Sequence, residues 1–236
     1  MTNPATTCIN DRIRARYRDL GPHARHFARF KLQLDPMFRE LASRPIFAAP
    51  PRVLVDIGTG YGVPACWLAE TFPGVHLYGI EPSADRVRVA GRALGESGTV
   101  VRGAAPDLPP APEGADGAFM LDMMHYLDDG QLRLTLSRLQ QRLAPAAPLV
   151  IRAVMRPSRR RPWAWWADRL VNRLRGLPTW FRPEEQIRSA LAANGFETEG
   201  TFLSGTKGEM LWVYARGSAA AGASCQFRQQ SGSAAR

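Results

Sequence analysis

Apolar positions change their period twice along this chain. Between residues 11 and 47 they recur at helical spacing (Ile13, Tyr17 and Leu20, then Phe27, Phe30 and Leu34) and are interrupted at Gly21-Pro22 and Asp35-Pro36, which predicts two or three short helices. Pro45, Pro50 and Pro51 mark a linker, and Val53-Leu54-Val55 is a short β-branched run that enters a glycine turn, the first strand. From there the pattern alternates: helix Pro64 to Phe72, strand His76 to Ile80, helix Ala84 to Leu94, strand Thr99 to Arg102. After a proline-rich loop come strand Gly117 to Leu121, helix Asp129 to Leu143 and strand Pro148 to Val154. Strands separated by helical crossovers imply a mainly parallel sheet covered on both faces, a doubly wound α/β fold. Helix Pro183 to Asn194 ends at Gly195, where a left-handed cap is wanted. Phe196 to Phe202 and Met210 to Arg216 form a closing antiparallel pair, which makes a sheet of seven strands.

This reading divides the chain into an N-terminal helical cap at 1–47, an α/β domain at 48–216 and a Gly, Ser, Ala and Gln tail at 217–236 with too few apolar anchors to order. Within the domain, 156–182 is a basic, tryptophan-rich insertion, expected either to close over the site as a lid or to touch an anionic membrane surface. Arg159, Arg160 and Arg161 lead there into Trp163, Trp165 and Trp166, and an interfacial tryptophan among cations suits lipid headgroups.

With 236 residues, 45% of them hydrophobic, the chain can bury one sizeable core. Its three cysteines, Cys8, Cys66 and Cys225, lie far apart and match neither a disulfide framework nor zinc spacing. A reducing, cytoplasmic setting is expected, with contact at the inner membrane surface as a further expectation, because no signal-type block and no run of about 18 apolar residues occurs. The net charge of +10 favours polyanions: nucleic acid, an anionic membrane or an acidic carrier protein.

The chemistry concentrates at Asp56-Ile57-Gly58-Thr59-Gly60-Tyr61-Gly62. A strand, a tight glycine turn and a helix N-terminus let a ligand lie against the backbone. The dinucleotide fingerprint has its third glycine later and no acid in front. Here Asp56 stands two before the first glycine, where its charge suits a cation and would repel a pyrophosphate.

The string VLVDIGTGYG resembles the first motif of class I S-adenosylmethionine-dependent methyltransferases, and the resemblance runs over roughly residues 50 to 215. It implies a Rossmann-like fold and S-adenosyl-L-methionine as cofactor. Asp56 would help orient the methionine part, with Gly58, Thr59 and Gly60 against it. Glu81, with Pro82 beside it, would take the ribose hydroxyls through charge-assisted hydrogen bonds. Family members often carry an acid after the third strand; this chain has Gly103-Ala104-Ala105, so backbone at Ala104 and Ala105 would have to serve the adenine.

On the substrate side, Leu121-Asp122-Met123-Met124-His125-Tyr126 sits at the carboxyl end of the sheet and resembles the corresponding stretch of phenol O-methyltransferases. The resemblance implies His125 as general base, for which imidazole is chemically apt, and Asp122 as a contact to the cofactor or an orienter of the loop. Asp128 and Asp129 are expected to cap the next helix. An Asn/Asp-Pro-Pro-Tyr motif is absent after the fourth strand, which argues against nucleic acid as substrate. Residues 29–38, RFKLQLDPMF, are similar to a segment of bacterial methyltransferases of aryl-polyene and fatty-acid-like pigment pathways. That implies a small hydrophobic acceptor, aromatic, polyene or acyl, which an acyl carrier protein could present, with Lys31 facing cofactor or substrate. RNA or protein methylation and a non-catalytic scaffold remain as other readings. No metal site is expected.

Overall fold

In the computed structural model, residues 4–155, 178–204 and 210–218 are described. The expected insertion, apart from 178–182, and the expected tail from 219 onward lie outside them.

Three helices precede the sheet: α1 (Pro4–Arg16), α2 (Pro22–Leu34) and α3 (Met37–Ala42). Each break falls where the sequence changes its backbone chemistry, at Gly21 with φ 88° and at Asp35, which adopts extended geometry before Pro36. Then follow β1 (Val53–Ile57), α4 (Val63–Thr71), β2 (His76–Glu81), α5 (Ala84–Leu94), β3 (Gly98–Arg102), β4 (Gly117–Leu121), α6 (Asp129–Gln140), β5 (Pro148–Val154), α7 (Glu184–Ala193), β6 (Phe196–Ser204) and β7 (Met210–Gly217). The seven strands stand in the order β3-β2-β1-β4-β5-β7-β6. β1 to β5 pair in parallel, and β7 runs antiparallel to both β5 and β6. This is the Rossmann-like, mainly parallel seven-stranded sheet that the alternating pattern implies.

Alternation along the buried strands divides the core between the two faces. Leu54, Leu77, Phe119, Val150 and Trp212 face α4, α5 and the N-terminal helices, whose Ile13, Tyr17, Ala28, Leu32, Met37 and Phe38 join the same cluster. Val55, Ile57, Met120 and Ile151 face α6 and α7 through Leu132, Leu136, Leu139, Ile187 and Leu191. The N-terminal helices therefore continue the core on one face. Arg16 fixes that attachment by donating to both Glu70 and the carbonyls of Ala93 and Leu94 at the end of α5.

Local signals set the helix ends. Ser83 caps α5, Asp128 and Gln131 form a capping box at α6, and Gly195 takes φ 78° after α7. Asp129 does not share the capping; its carboxylate receives Arg182 Nε at 2.8 Å. Helix α6 stops at Gln140, short of the expected Leu143, because Leu143 turns away to form a parallel bridge with Ala115.

Candidate functional site

The glycine turn starts from backbone bonds to the neighbouring strand. The amides of Gly58 and Thr59 both donate to the Ile80 carbonyl, at 2.8 and 3.2 Å, which folds the end of β1 over β2. Gly58 has φ 78°, and a Cβ there would lie 2.8 Å from the Cβ of Met123. Gly62, the residue before α4, has φ 82°, and a Cβ would lie 2.9 Å from that of Ala90. Both positions demand glycine on conformational and steric grounds together. From beneath, the buried hydroxyl of Tyr17, the residue after α1, donates to the Tyr61 carbonyl at 2.7 Å and holds the turn in place.

A cavity of about 430 Å³ opens over this turn at the carboxyl ends of β1, β2 and β4, within the size range of small-ligand sites. Gly58, Thr59, Gly60, Glu81, Pro82, Ala104, Ala105 and Asp122 line it together. Glu81 is 2% exposed. Its Oε2 accepts from the Gly60 amide at 2.9 Å and its Oε1 from the Ser83 amide at 3.1 Å. Arg86 stands 3.7 Å from Oε1 and also lies over the ring of Tyr61.

Asp56 and His125 are placed differently. Asp56 lies below the turn, outside the lining, with its Oδ2 buried and without a hydrogen-bond partner. Burial pushes its carboxyl up to about 7; the Thr59 hydroxyl works against the shift and the nearby Glu81 charge adds to it. His125 occupies a short 3-10 turn at Met124–Tyr126, stacked on Phe181 and in tilted contact with Tyr126. Among the described residues, Tyr126 and not His125 lines the cavity. The His125 Nδ1 is buried without a partner, and burial lowers its pKa while Asp122 opposes the shift.

The N-terminal helices complete the lining with Phe27 and Lys31 of α2 and Met37 of α3, and the Phe27 ring packs 4.9 Å from that of Tyr61 in the glycine turn. Lys31 Nζ donates to Asp35 at 3.0 Å and to Asp122 at 3.1 Å. Arg152, in the middle of β5, donates to the same two carboxylates at 3.1 and 3.0 Å, with its guanidinium over the Trp212 ring. Two cations and two carboxylates thus neutralise one another at the cavity edge, and the pair of cations holds Asp35 below the usual carboxylate range despite its burial. Asp122 is a non-glycine residue at φ 59°, a strained conformation that this cluster holds.

Arg152 and Asp35 had not been singled out for the site. A lone arginine inside the apolar strand Pro148-Leu149-Val150-Ile151-Arg152 was the available signal, since a buried cation requires partners. Nothing local names those partners, which lie 30 and 117 residues away.

The arrangement fits an adenosyl sulfonium amino acid. Glu81 offers a buried carboxylate for vicinal hydroxyls, the glycine turn has no side chain to obstruct a ligand, and the buried Asp122 Oδ1 lacks a partner. Lys31 keeps one N–H beyond its two bonds, so Lys31 and Asp122 together offer a cation and an acceptor for the two ends of a zwitterion.

A model of the methyltransferase domain family matches residues 26–200. The chain belongs to that family. No curated protein matches the sequence. Among solved structures, the pyocyanin biosynthetic protein PhzM aligns with a TM-score of 0.63 at 18% identity, over 86% of this chain and 60% of that one. Human N-acetylserotonin methyltransferase, solved in complex with S-adenosylmethionine, gives 0.61 at 20% identity, over 86% and 58%. The [4+2]-cyclase SpnF gives 0.62 at 18% identity, over 78% and 81%. The chain spans about 60% of the length of PhzM. These identities establish the shared fold, and the presence of a cyclase among them illustrates that reaction type is decided by the site. Among the described residues, no helix is long and apolar enough to cross a membrane and no cluster of metal-ligating side chains occurs.

Proposed function

We propose that this methyltransferase uses S-adenosyl-L-methionine to methylate a small hydrophobic molecule, with an aromatic, polyene or acyl acceptor bound between α2 and the turn after β4. The observation that carries the reading is one cavity with two chemistries, the Glu81 carboxylate with the glycine backbone and the apolar side chains of Phe27, Met37, Tyr126 and Leu127. The known proteins of similar fold point the same way, since they include enzymes named for pyocyanin biosynthesis and for N-acetylserotonin.

The cofactor supplies an electrophilic methyl carbon. The protein's part is to hold the cofactor, align the acceptor behind that carbon and exclude water. Glu81 holds the sugar, Lys31 and Asp122 the amino-acid end, and the aromatic and aliphatic wall takes the acceptor. For a hydroxyl acceptor, His125 is the candidate base in this reading; it does not line the cavity, so it would take the proton through a bridging water beside Tyr126.

Calorimetric titration with S-adenosylmethionine tests the first half, and methyl-tracer transfer to a panel of phenols and unsaturated fatty acyl compounds tests the second. His125→Ala separates a base from a packing residue. A base costs about 10²- to 10⁴-fold in kcat with stability retained, whereas a packing residue lowers stability and leaves kcat. Titration without any heat of binding would refute the whole reading.

A further inference from the structure

The arginines of the N-terminal helices fall into two populations. Arg12 and Arg16 are paired with Glu70 and serve packing. Arg14, Arg18, Arg25 and Arg29 instead surround an open groove of about 640 Å³ between α1 and α2. Arg14 reaches Asp11; Arg18, Arg25 and Arg29 have no ion-pair partner among the described residues, and all three are exposed. Arg25 and Arg29 are one helical turn apart, an arrangement whose like charges repel. Asp11 also lines the groove and neutralises Arg14, which leaves three unpaired guanidinium forks complementary to phosphate oxygens.

The same helix carries a second feature that water does not favour. Phe30 is 55% exposed and Leu34 71% exposed. One turn separates them, and at 3.6 residues per turn they project roughly 140° round α2 from Arg25 and Arg29, with the exposed His26 and Gln33 between. An apolar stripe with unpaired cations on the flank of the same helix matches the acyl and headgroup layers of a bilayer surface. A soluble acidic partner would satisfy the cations and leave Phe30 and Leu34 unexplained. Phe27 and Lys31, on this helix too, line the cavity.

We infer that the outer face of α1 and α2 docks on an anionic phospholipid surface, with phosphate headgroups in the arginine groove and Phe30 and Leu34 at the acyl boundary. A hydrophobic acceptor dissolved in the bilayer then meets the cavity along α2 without crossing water. That last step rests on the proposed function; the docking itself does not.

The test is co-sedimentation of the full chain with vesicles of phosphatidylcholine alone and of phosphatidylcholine mixed with phosphatidylglycerol. Binding is expected only to the mixed vesicles and is weakened by raised salt. The double variant R25E/R29E is expected to bind at least about 30-fold more weakly, from the loss of two cations near a charged surface. F30S/L34S is expected to weaken binding without changing its salt dependence. None of these four residues lines the cavity, so circular dichroism and titration with S-adenosylmethionine should match the wild type and show that the fold is intact. Failure of the wild type to bind mixed vesicles overturns the proposal, as does vesicle binding that both double variants retain. Retention of RNA in a gel shift that R25E/R29E abolishes, with no vesicle binding, also overturns it. Loss of cofactor binding in the wild type, with vesicle binding kept, refutes the proposed function and leaves the docking standing.

Discussion

The two walls of the cavity are built on different principles. The wall from β1 and β2 is made by adjacent strands: the Gly58 and Thr59 amides donate to the Ile80 carbonyl, and Glu81 at the end of the same strand accepts from Gly60. The wall from α2 is held by groups that meet only through tertiary folding, Lys31 with Asp122 and Arg152 with Asp35, across separations of 91 and 117 residues. The first wall is a backbone shape that tolerates no added atoms. The second is a balance of charge, and removing one member leaves the others uncompensated.

The sharpest way to break this contrast is Arg152→Met. Arg152 is 4% exposed, and its loss leaves Asp35 and Asp122 facing only Lys31. Unfolding by urea should show a loss of about 3 to 5 kcal/mol. Stability equal to the wild type would mean that the charge cluster does not hold the second wall.

Next in size is a pH effect from the first wall. Asp56 sits at about 7 against an ordinary 3.8. A carboxyl whose folded pKa is raised holds its proton more tightly in the native state. Its contribution to stability is therefore complete below 3.8 and is lost as the pH rises through about 7, amounting to no more than about 4 kcal/mol. Asp56→Asn should flatten the fall in stability between these limits. His125, with its pKa lowered by burial, contributes the opposite slope below its ordinary value, so the difference between the two proteins, rather than either curve, is the quantity to measure. Affinity for the sulfonium cofactor should rise as the pH passes through about 7, where the folded carboxyl ionises, and affinity for its neutral thioether product should change less.

Glu81→Ala removes an acceptor for two backbone amides and for the sugar hydroxyls. S-adenosylmethionine should bind about 1.5 to 3 kcal/mol more weakly by calorimetry, the range of a hydrogen bond to a charged group. Lys31→Met is the smallest change, about tenfold for one charged contact. It sharpens the comparison because it should spare 5′-methylthioadenosine, which lacks the amino-acid end. Equal losses for both ligands would assign Lys31 to the wall and not to the ligand.

Much of the first wall was legible before the structure. Turn, strand and helix signals are short-range, so the glycine string, Glu81 and the capping Asp128 could be read from their neighbours, and the sheet followed from alternation. Lys31 was assigned to cofactor or substrate only through the resemblance of residues 29–38, and Arg152 stood out only as a cation in an apolar strand. Tyr17 read as one apolar position of a helical stripe; the hydroxyl that reaches the Tyr61 carbonyl could not be inferred from spacing.

The sequence by itself determined the periods of the elements, the points where glycine and proline end them, and the acid that closes the second strand, because each depends on backbone geometry within a few residues. Only the tertiary structure decided that α2 would wall the cavity, that Arg152 would join Asp35 to Asp122, and that Asp56 would lie beneath the turn with its charge desolvated. Electrostatic energy depends on distance and burial, and neither is a property of the chain until it has folded.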